Sequence, residues 1–202
     1  MNRKTFLGVV LGIFCLSGVC QNRVDSSYYY YYKGEKQYIA LNTKQAMVIL
    51  PAAELSKRTK SGGIDRVKEL NHKDCSEIAF SDSLSPKDYL EQLAELENNL
   101  NVRIRGYFIS RNDDKLCISD FFYVCLKDLS DSTLLYSMAA ELSVEVVSQD
   151  RFLPHWFTLK AQSLQMDSQL RTVNRFYESG LFQAAEPEFF TDKSMRDRKS
   201  VV

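Results

Sequence analysis

The chain has 202 residues, and its 26 Lys and Arg balance 26 Asp and Glu, so the formal net charge is zero. Nucleic-acid binding relies on clustered positive charge, so this balance argues against a nucleic-acid partner. The length is sufficient for one medium domain or two small ones.

The first twenty residues have the pattern of an export signal. The basic group Asn2-Arg3-Lys4 precedes an apolar run, Thr5 to Leu16, which is too short to span a bilayer. We therefore expect residues 1–20 to be a cleaved signal peptide and the protein to be periplasmic, secreted or attached to the cell surface. A lipid anchor at Cys20 is the alternative, and Val19 before it fits lipidation poorly.

Five consecutive tyrosines, Tyr28–Tyr32, begin the predicted mature chain. The turn signal Lys33-Gly34-Glu35 and the extended pattern Gln37–Leu41 follow, which predicts a β-hairpin. The tyrosines could form an aromatic platform that binds a sugar, or they could pack as an edge strand. The edge strand is favoured because alternate residues of a strand face opposite sides. A third short strand is predicted at Ala46–Leu50, stopped by Pro51.

The polar segment Ser56–Ser83 contains Gly62-Gly63 and predicts a loop, with one helical turn near Ile64–Leu70. A helix follows, with Ser85 as its N-cap and Pro86 in its first turn. Apolar residues recur along this helix at helical spacing: Tyr89, Leu90, Leu93, Leu96 and Leu100.

Two strands, Val102–Ile109 and Lys115–Ile118, surround the turn Asn112-Asp113-Asp114. They complete a predicted β-rich N-terminal unit with one helix, residues 21–118.

A second unit, residues 119–190, alternates strands and helices. Strand Phe121–Leu126 is apolar on both alternations, so both of its faces need cover. Ser130 is predicted to cap a helix whose core face is Leu134, Leu135, Met138, Ala139 and Leu142. The remaining predicted elements are strands Val144–Val147 and Trp156–Ala161, a helix from about Asp167 to Gly180, and a closing strand Leu181–Phe189.

The order strand–helix–strand–strand–helix–strand predicts an α+β, ferredoxin-like (βαββαβ) module with four antiparallel strands and both helices on one face. Because two helices on one face leave the other side of Phe121–Leu126 uncovered, we also predict that the N-terminal hairpin packs against this module.

The block from Phe176 to Phe189 resembles the end of the propeptide of secreted subtilisin-like serine proteases, whose propeptides have this fold. The hairpin Tyr29–Glu35 with Leu41-Asn42-Thr43, and the strand Phe121–Val124, resemble the prodomain region of larger bacterial subtilases of the fervidolysin-like kind. In that family the prodomain assists folding of the protease and then remains bound as an inhibitor. The resemblance implies a non-catalytic exported protein that inhibits or folds a subtilisin-like serine protease domain in trans, or the product of a truncated protease gene.

The resemblance also implies that the closing strand enters the protease cleft like a product peptide. The residues concerned are Phe182, Gln183, Ala184, Ala185, Glu186, Pro187, Glu188, Phe189 and Phe190. An extended peptide binds such a cleft through main-chain hydrogen bonds, with alternate side chains in pockets. Residues 191–202 form a polar tail, and deleting residues 189–202 is expected to leave the fold intact.

Catalysis by the chain itself is not expected. None of the glycine-containing Asp, His and Ser motifs of subtilases occurs in the sequence, and neither His72 nor His155 has a nucleophile turn nearby. No glycine-rich phosphate loop and no metal-ligand spacing is found, so no cofactor or metal is expected.

Three cysteines follow the predicted signal peptide, which allows at most one disulfide. Of these, Cys117 and Cys125 lie in apolar runs and are predicted to be buried free thiols, whereas Cys75 lies in the polar segment.

The alternative function for the protein is a cell-surface binding module in which the Tyr28–Tyr32 hairpin contacts a ligand.

Overall fold

The computed structural model describes residues 28–59, 64–70, 74–82, 84–162 and 166–191. These residues form a mixed α+β fold with a mostly antiparallel sheet and four α-helices. The predicted signal peptide, Cys20, Gly62-Gly63, His72 and the tail beyond Thr191 lie outside the described residues.

The strands are β1 (Tyr28–Tyr32), β2 (Glu35–Val48), β3 (Ile64–Glu69), β4 (Ser76–Phe80), β5 (Ile104–Ile109), β6 (Lys115–Leu126), β7 (Val144–Gln149), β8 (Trp156–Ala161) and β9 (Phe182–Thr191). The helices are α1 (Ala52–Arg58), α2 (Pro86–Leu100), α3 (Ser132–Glu141) and α4 (Met166–Glu178). The sheet order is β3-β4-β2-β5-β6-β8-β7, with β1 paired to β2 and β9 paired to β6.

The predicted hairpin is confirmed, because β1 pairs with β2 around the turn Lys33-Gly34. The separate third strand is wrong: β2 continues through it to Val48, with a bulge between Asn42 and Ala46. The Asn42 side chain accepts a hydrogen bond from the Lys44 amide at 3.0 Å, which turns the backbone locally and interrupts the alternation that marks a strand.

The predicted loop over Ser56–Ser83 is also wrong, and so is its helical turn. The segment holds the end of α1 and the hairpin β3–β4, in which β3 is the edge strand of the sheet. Most side chains of β3 are exposed and polar, so the strand lacks the apolar alternation that predicts one. In β4 the second residue, Glu77, is 5% exposed and forms an ion pair with Lys115 at 2.7 Å.

Helix α2 is confirmed with its predicted start. Ser85 is the N-cap and its side chain accepts from the Asp88 amide at 3.2 Å, while Pro86 is the first helical residue. Tyr89 and Leu93 of this helix pack into a core with α1, β2, β4 and β5.

Strand β6 is shared by the two halves of the sheet. Residues 115–117 pair with β5 and residues 121–125 with β8 on one edge, whereas β9 pairs along the other edge from Leu116 to Leu126. The two strands predicted here are therefore one, and the predicted unit boundary at 118/119 falls inside it.

Both C-terminal helices pack on the same face of the sheet. Phe122, Val124 and Leu126 of β6 form one core with residues from α3 and α4. Two details of α3 differ from expectation. Asp128, not Ser130, caps this region by accepting from the Ser130 amide at 2.9 Å, and a 3-10 turn precedes the helix.

The second difference concerns the core face of α3. Leu134 is 42% exposed, whereas Leu135 and Ala139 are buried. The 3-10 turn shifts the start of the helix to Ser132, and the face that meets the sheet is narrower than the five apolar residues suggest.

Candidate functional site

All nine residues expected to enter a protease cleft lie on β9, which pairs antiparallel with β6. Phe182 and Ala185 are 3% and 1% exposed and belong to the core beneath α3 and α4. Phe189 and Phe190 also pack inward, Phe189 against the Tyr30 ring at 4.9 Å between centroids and Phe190 beside Cys117. These four side chains are therefore occupied by the fold itself.

The other side chains of β9 face away from the core or lie partly exposed. Glu186 accepts from the Lys33 amide at 3.0 Å, and Glu188 accepts from the Tyr123 hydroxyl at 3.1 Å. Gln183 is exposed, while Ala184 and Pro187 are half-buried. In the described part of the chain β9 pairs with β6 alone.

In the described part of the chain, the sheet face opposite α3 and α4, called the open face below, is partly exposed. Phe121, Tyr123 and Trp156 lie on this face by their pairing register, and Phe121 is 36% exposed. The Lys160 Nζ atom lies 5.9 Å from the centre of the Phe121 ring. Next to this face is an open groove of about 670 Å³, lined by residues that include Cys125, His155, Trp156 and Gln183.

The groove holds a cysteine and a histidine, the residue types of a thiol nucleophile and its base. Burial and the charge of Glu186 raise the pKa of the Cys125 thiol, which is the opposite of the thiolate activation such chemistry needs. The Cys125 Sγ atom lies 3.6 Å from the Gln183 side-chain oxygen. The main-chain oxygen of His155 accepts a hydrogen bond from the Leu126 amide at 2.9 Å.

The tyrosine hairpin packs against α4 and β9, as predicted. Tyr31 stacks on Tyr177 with ring centroids 4.0 Å apart, and the Tyr29 and Tyr31 hydroxyls donate to Glu178 at 2.8 and 3.0 Å. The Asn174 side-chain amide donates to the Tyr29 carbonyl at 2.8 Å. The hairpin therefore covers the α4–β9 side of the module and leaves Phe121, whose need for cover motivated the prediction, on the open face.

Alternate tyrosines of β1 face opposite sides, as the edge-strand interpretation requires. Tyr28 and Tyr30 pack inward against Phe108 and Phe189. Tyr29 and Tyr31 face the end of α4, where the hydrogen bond to Glu178 and burial both raise the pKa of Tyr29. Nothing in the tyrosine run itself reveals Glu178 or Asn174 as its partners, because they lie about 145 residues away in sequence.

A second feature that the sequence does not reveal is a charge cluster where β6 passes from β5 to β8. The Asp120 carboxylate contacts Arg103 and Arg105, each at 2.7 Å, and accepts from Gln169 of α4 at 2.9 Å. Burial opposes ionisation of Asp120, but the two arginines prevail and hold its pKa below the ordinary value. The cluster joins β5, β6 and α4.

The predicted thiols are confirmed: Cys117 and Cys125 are buried and form no disulfide, and Cys75 is a free, half-buried thiol. Among the described residues, no group of three His, Cys, Asp or Glu side chains converges on a common point. No helix in the described ranges is long and apolar enough to cross a bilayer.

Comparison of the chain with protein-family models, with curated proteins and with solved structures found no match in any of the three.

Proposed function

We propose that this protein is a non-catalytic, prodomain-like partner of a subtilisin-like serine protease that inhibits the enzyme or assists its folding in trans. The strand order β9-β6-β8-β7 supports the ferredoxin-like arrangement, since this order places each crossover helix between strands that are not neighbours. The common face of α3 and α4 supports it as well.

The observation that carries the proposal is the open face of the sheet. An antiparallel sheet with helices on one face commonly leaves its other face to water, and that face is then mostly polar. Large apolar side chains on such a face favour a binding surface. Here Phe121 and Trp156 remain accessible beside the charged Lys160 and Glu186. An apolar centre with a charged rim is the composition of a protein-binding surface.

The packing of β9 leads us to propose other residues for a protease cleft. A peptide that binds in a cleft must have free main-chain groups and side chains. In β9 the main chain pairs with β6 and the aromatic side chains pack into the fold. We therefore assign cleft binding to residues 192–202 and surface binding to the open face. Contrary to the expectation from the sequence, deleting residues 189–202 should destabilise the fold. Phe189, Phe190 and Thr191 pair with Ile118, Cys117 and Leu116.

Inhibition of a purified subtilisin by the mature chain tests the proposal. Truncation after Thr191 should weaken inhibition at least about tenfold, roughly 1.4 kcal/mol, without loss of thermal stability. Phe121→Ser on the open face should weaken it similarly. Tyr136→Ser is the matched control, since Tyr136 is 55% exposed on α3, which packs on the opposite face, and it should leave inhibition unchanged.

Absence of inhibition and of any effect on refolding of the protease, with the full-length mature chain, would reject the proposal. Equal potency of the truncated and full-length proteins would remove residues 192–202 from the mechanism and leave the open face as the contact.

The proposal includes export, for which the basic and then apolar order of residues 2–16 is the support. N-terminal sequencing of the protein recovered from outside the cytoplasm should find a chain that begins near residue 21. Recovery of an intact N-terminus from the cytoplasm alone would contradict it.

A further inference from the structure

We propose that the cavity between the tyrosine hairpin and α4 is a binding site for a hydroxyl-rich ring of the hexose class. This site does not depend on the proposed inhibition of a protease. The cavity has a volume of about 380 Å³. Binding sites for small molecules occupy this size range, with apolar and aromatic walls and a few placed polar groups.

The polar group at the wall is the side chain of Asn174, which is 6% exposed. Its amide nitrogen donates to the Tyr29 carbonyl at 2.8 Å, and this bond fixes the orientation of the amide. The amide oxygen, Oδ1, is buried and has no hydrogen-bond partner among the described residues. A buried acceptor without a donor is unfavourable, so a ligand hydroxyl that reaches this atom from the cavity would satisfy it.

The rest of the wall offers both acceptors and donors. Glu178 accepts both tyrosine hydroxyls on Oε1, and its other carboxylate oxygen is a further acceptor position. The Arg175 guanidinium, whose side chain is 58% exposed, is a donor at the mouth and pairs with Glu141 at 3.2 Å. Sugar hydroxyls both donate and accept, so one ring can satisfy both kinds of group.

The apolar part of the cavity is formed by Tyr28 and Leu170, which offer a surface for the C–H face of a sugar ring. Charge does not select an anion here. Arg171, Arg175 and Glu178 line the cavity, and Glu141 pairs with Arg175 from outside it. A neutral ligand with many hydroxyl groups therefore fits the cavity better than a phosphate does.

Titration of the ¹⁵N-labelled mature protein with glucose and with N-acetylglucosamine tests the proposal. We expect saturable shifts of the Asn174 side-chain amide and of the Tyr29 and Leu170 backbone amides, with a Kd of about 1 mM or weaker. Inorganic phosphate is the anion control and should not shift these resonances. The absence of saturable shifts with both sugars, or equal binding of phosphate, would overturn the proposal.

Two variants separate a contact with the sugar from an effect on the fold. Arg175→Gln removes a cavity side chain and should weaken binding about fivefold or more, about 1 kcal/mol. Glu141→Gln breaks the same exposed ion pair from outside the cavity and should leave Kd unchanged. If both variants weaken binding equally, or if neither does, the sugar does not occupy this cavity and the proposal is wrong.

Discussion

Replacing Asp120 by Asn removes the negative charge that lies between Arg103 and Arg105 at the centre of β6. The Arg105 side chain is only 7% exposed and its contact with Asp120 is 2.7 Å long, so the variant leaves a buried guanidinium without its counter-ion. Breaking a buried ion pair from one side costs about 3–5 kcal/mol. The Arg103 side chain is 35% exposed, and its pair adds at most about 1 kcal/mol because solvent screens it.

We expect Asp120→Asn to lower the free energy of unfolding by about 3 kcal/mol, a large share of the roughly 5–15 kcal/mol that holds a typical domain folded. Urea denaturation followed by circular dichroism measures the change. Glu141→Gln is the matched control, because its ion pair with Arg175 is exposed and should contribute less than about 1 kcal/mol. A loss below about 1 kcal/mol for Asp120→Asn would refute the reasoning.

The same residue predicts a pH dependence. Because the pKa of Asp120 is lower in the folded chain than in the unfolded one, its contribution is fully present above the unfolded pKa, about 3.9, and is lost as the pH falls through the folded pKa. The stability difference between the natural protein and Asp120→Asn should be constant from about pH 5 to 7 and should shrink below about pH 4. A difference that grows on acidification would contradict the assignment.

Three further outcomes follow from single contacts. Asn174→Ala removes the bond to the Tyr29 carbonyl and should cost about 1 kcal/mol, with faster hydrogen exchange confined to β1; uniform exchange would argue against a local anchor. Gly180→Ala should cost about 1 kcal/mol in thermal denaturation, because φ is +69° there while no atom lies within 4 Å of the added carbon; no loss would mean that the turn can relax. Cys117 should resist thiol reagents at neutral pH while Cys75 reacts, because burial raises the pKa of the Cys117 thiol to about 12; equal rates would contradict its burial.

Elements that carry their own local signals were predictable from the sequence. Helix α2 has an N-cap serine, a proline in its first turn and an apolar face, and its start agrees with the prediction. The hairpin turn at Lys33-Gly34 is equally local. The alternating C-terminal strands β7 and β8 also lie where their valine and aromatic residues predicted them.

The failures occur where tertiary contacts override the local pattern. Strand β3 was predicted as loop because its charged residues, which face solvent at a sheet edge, give no apolar pattern. Strand β4 was missed because it contains the charged Glu77, whose stabilising partner Lys115 lies 38 residues away. Strand β6 reads as two strands because Ser119 and Asp120 interrupt its apolar pattern. Those two residues lie at a register shift between β6 and β9, and Asp120 belongs to the charge cluster, while the Ser119 hydroxyl accepts from the Phe121 amide at 3.1 Å.

The candidate site was only partly predictable for the same reason. The closing strand was located correctly, but its aromatic residues were predicted to be free to bind a protease. The sequence does not show that they pack against β6 and the hairpin. Asn174 and Glu178 lie in a helix where polar residues usually face solvent, and no local pattern distinguishes them.

The position of the hairpin has a consequence for the order in which the chain folds. Strand β1 is made early in synthesis, whereas its contacts, Asn174, Tyr177 and Phe189, emerge about 145 to 160 residues later. Long-range contacts are slow to form because loop closure must precede them. Until α4 and β9 are in place, Tyr29, Tyr30 and Tyr31 lack the surfaces on which they dock. We therefore expect the hairpin to dock late, after α4 and β9 have been synthesised, so that the tyrosine run is available to chaperones until then.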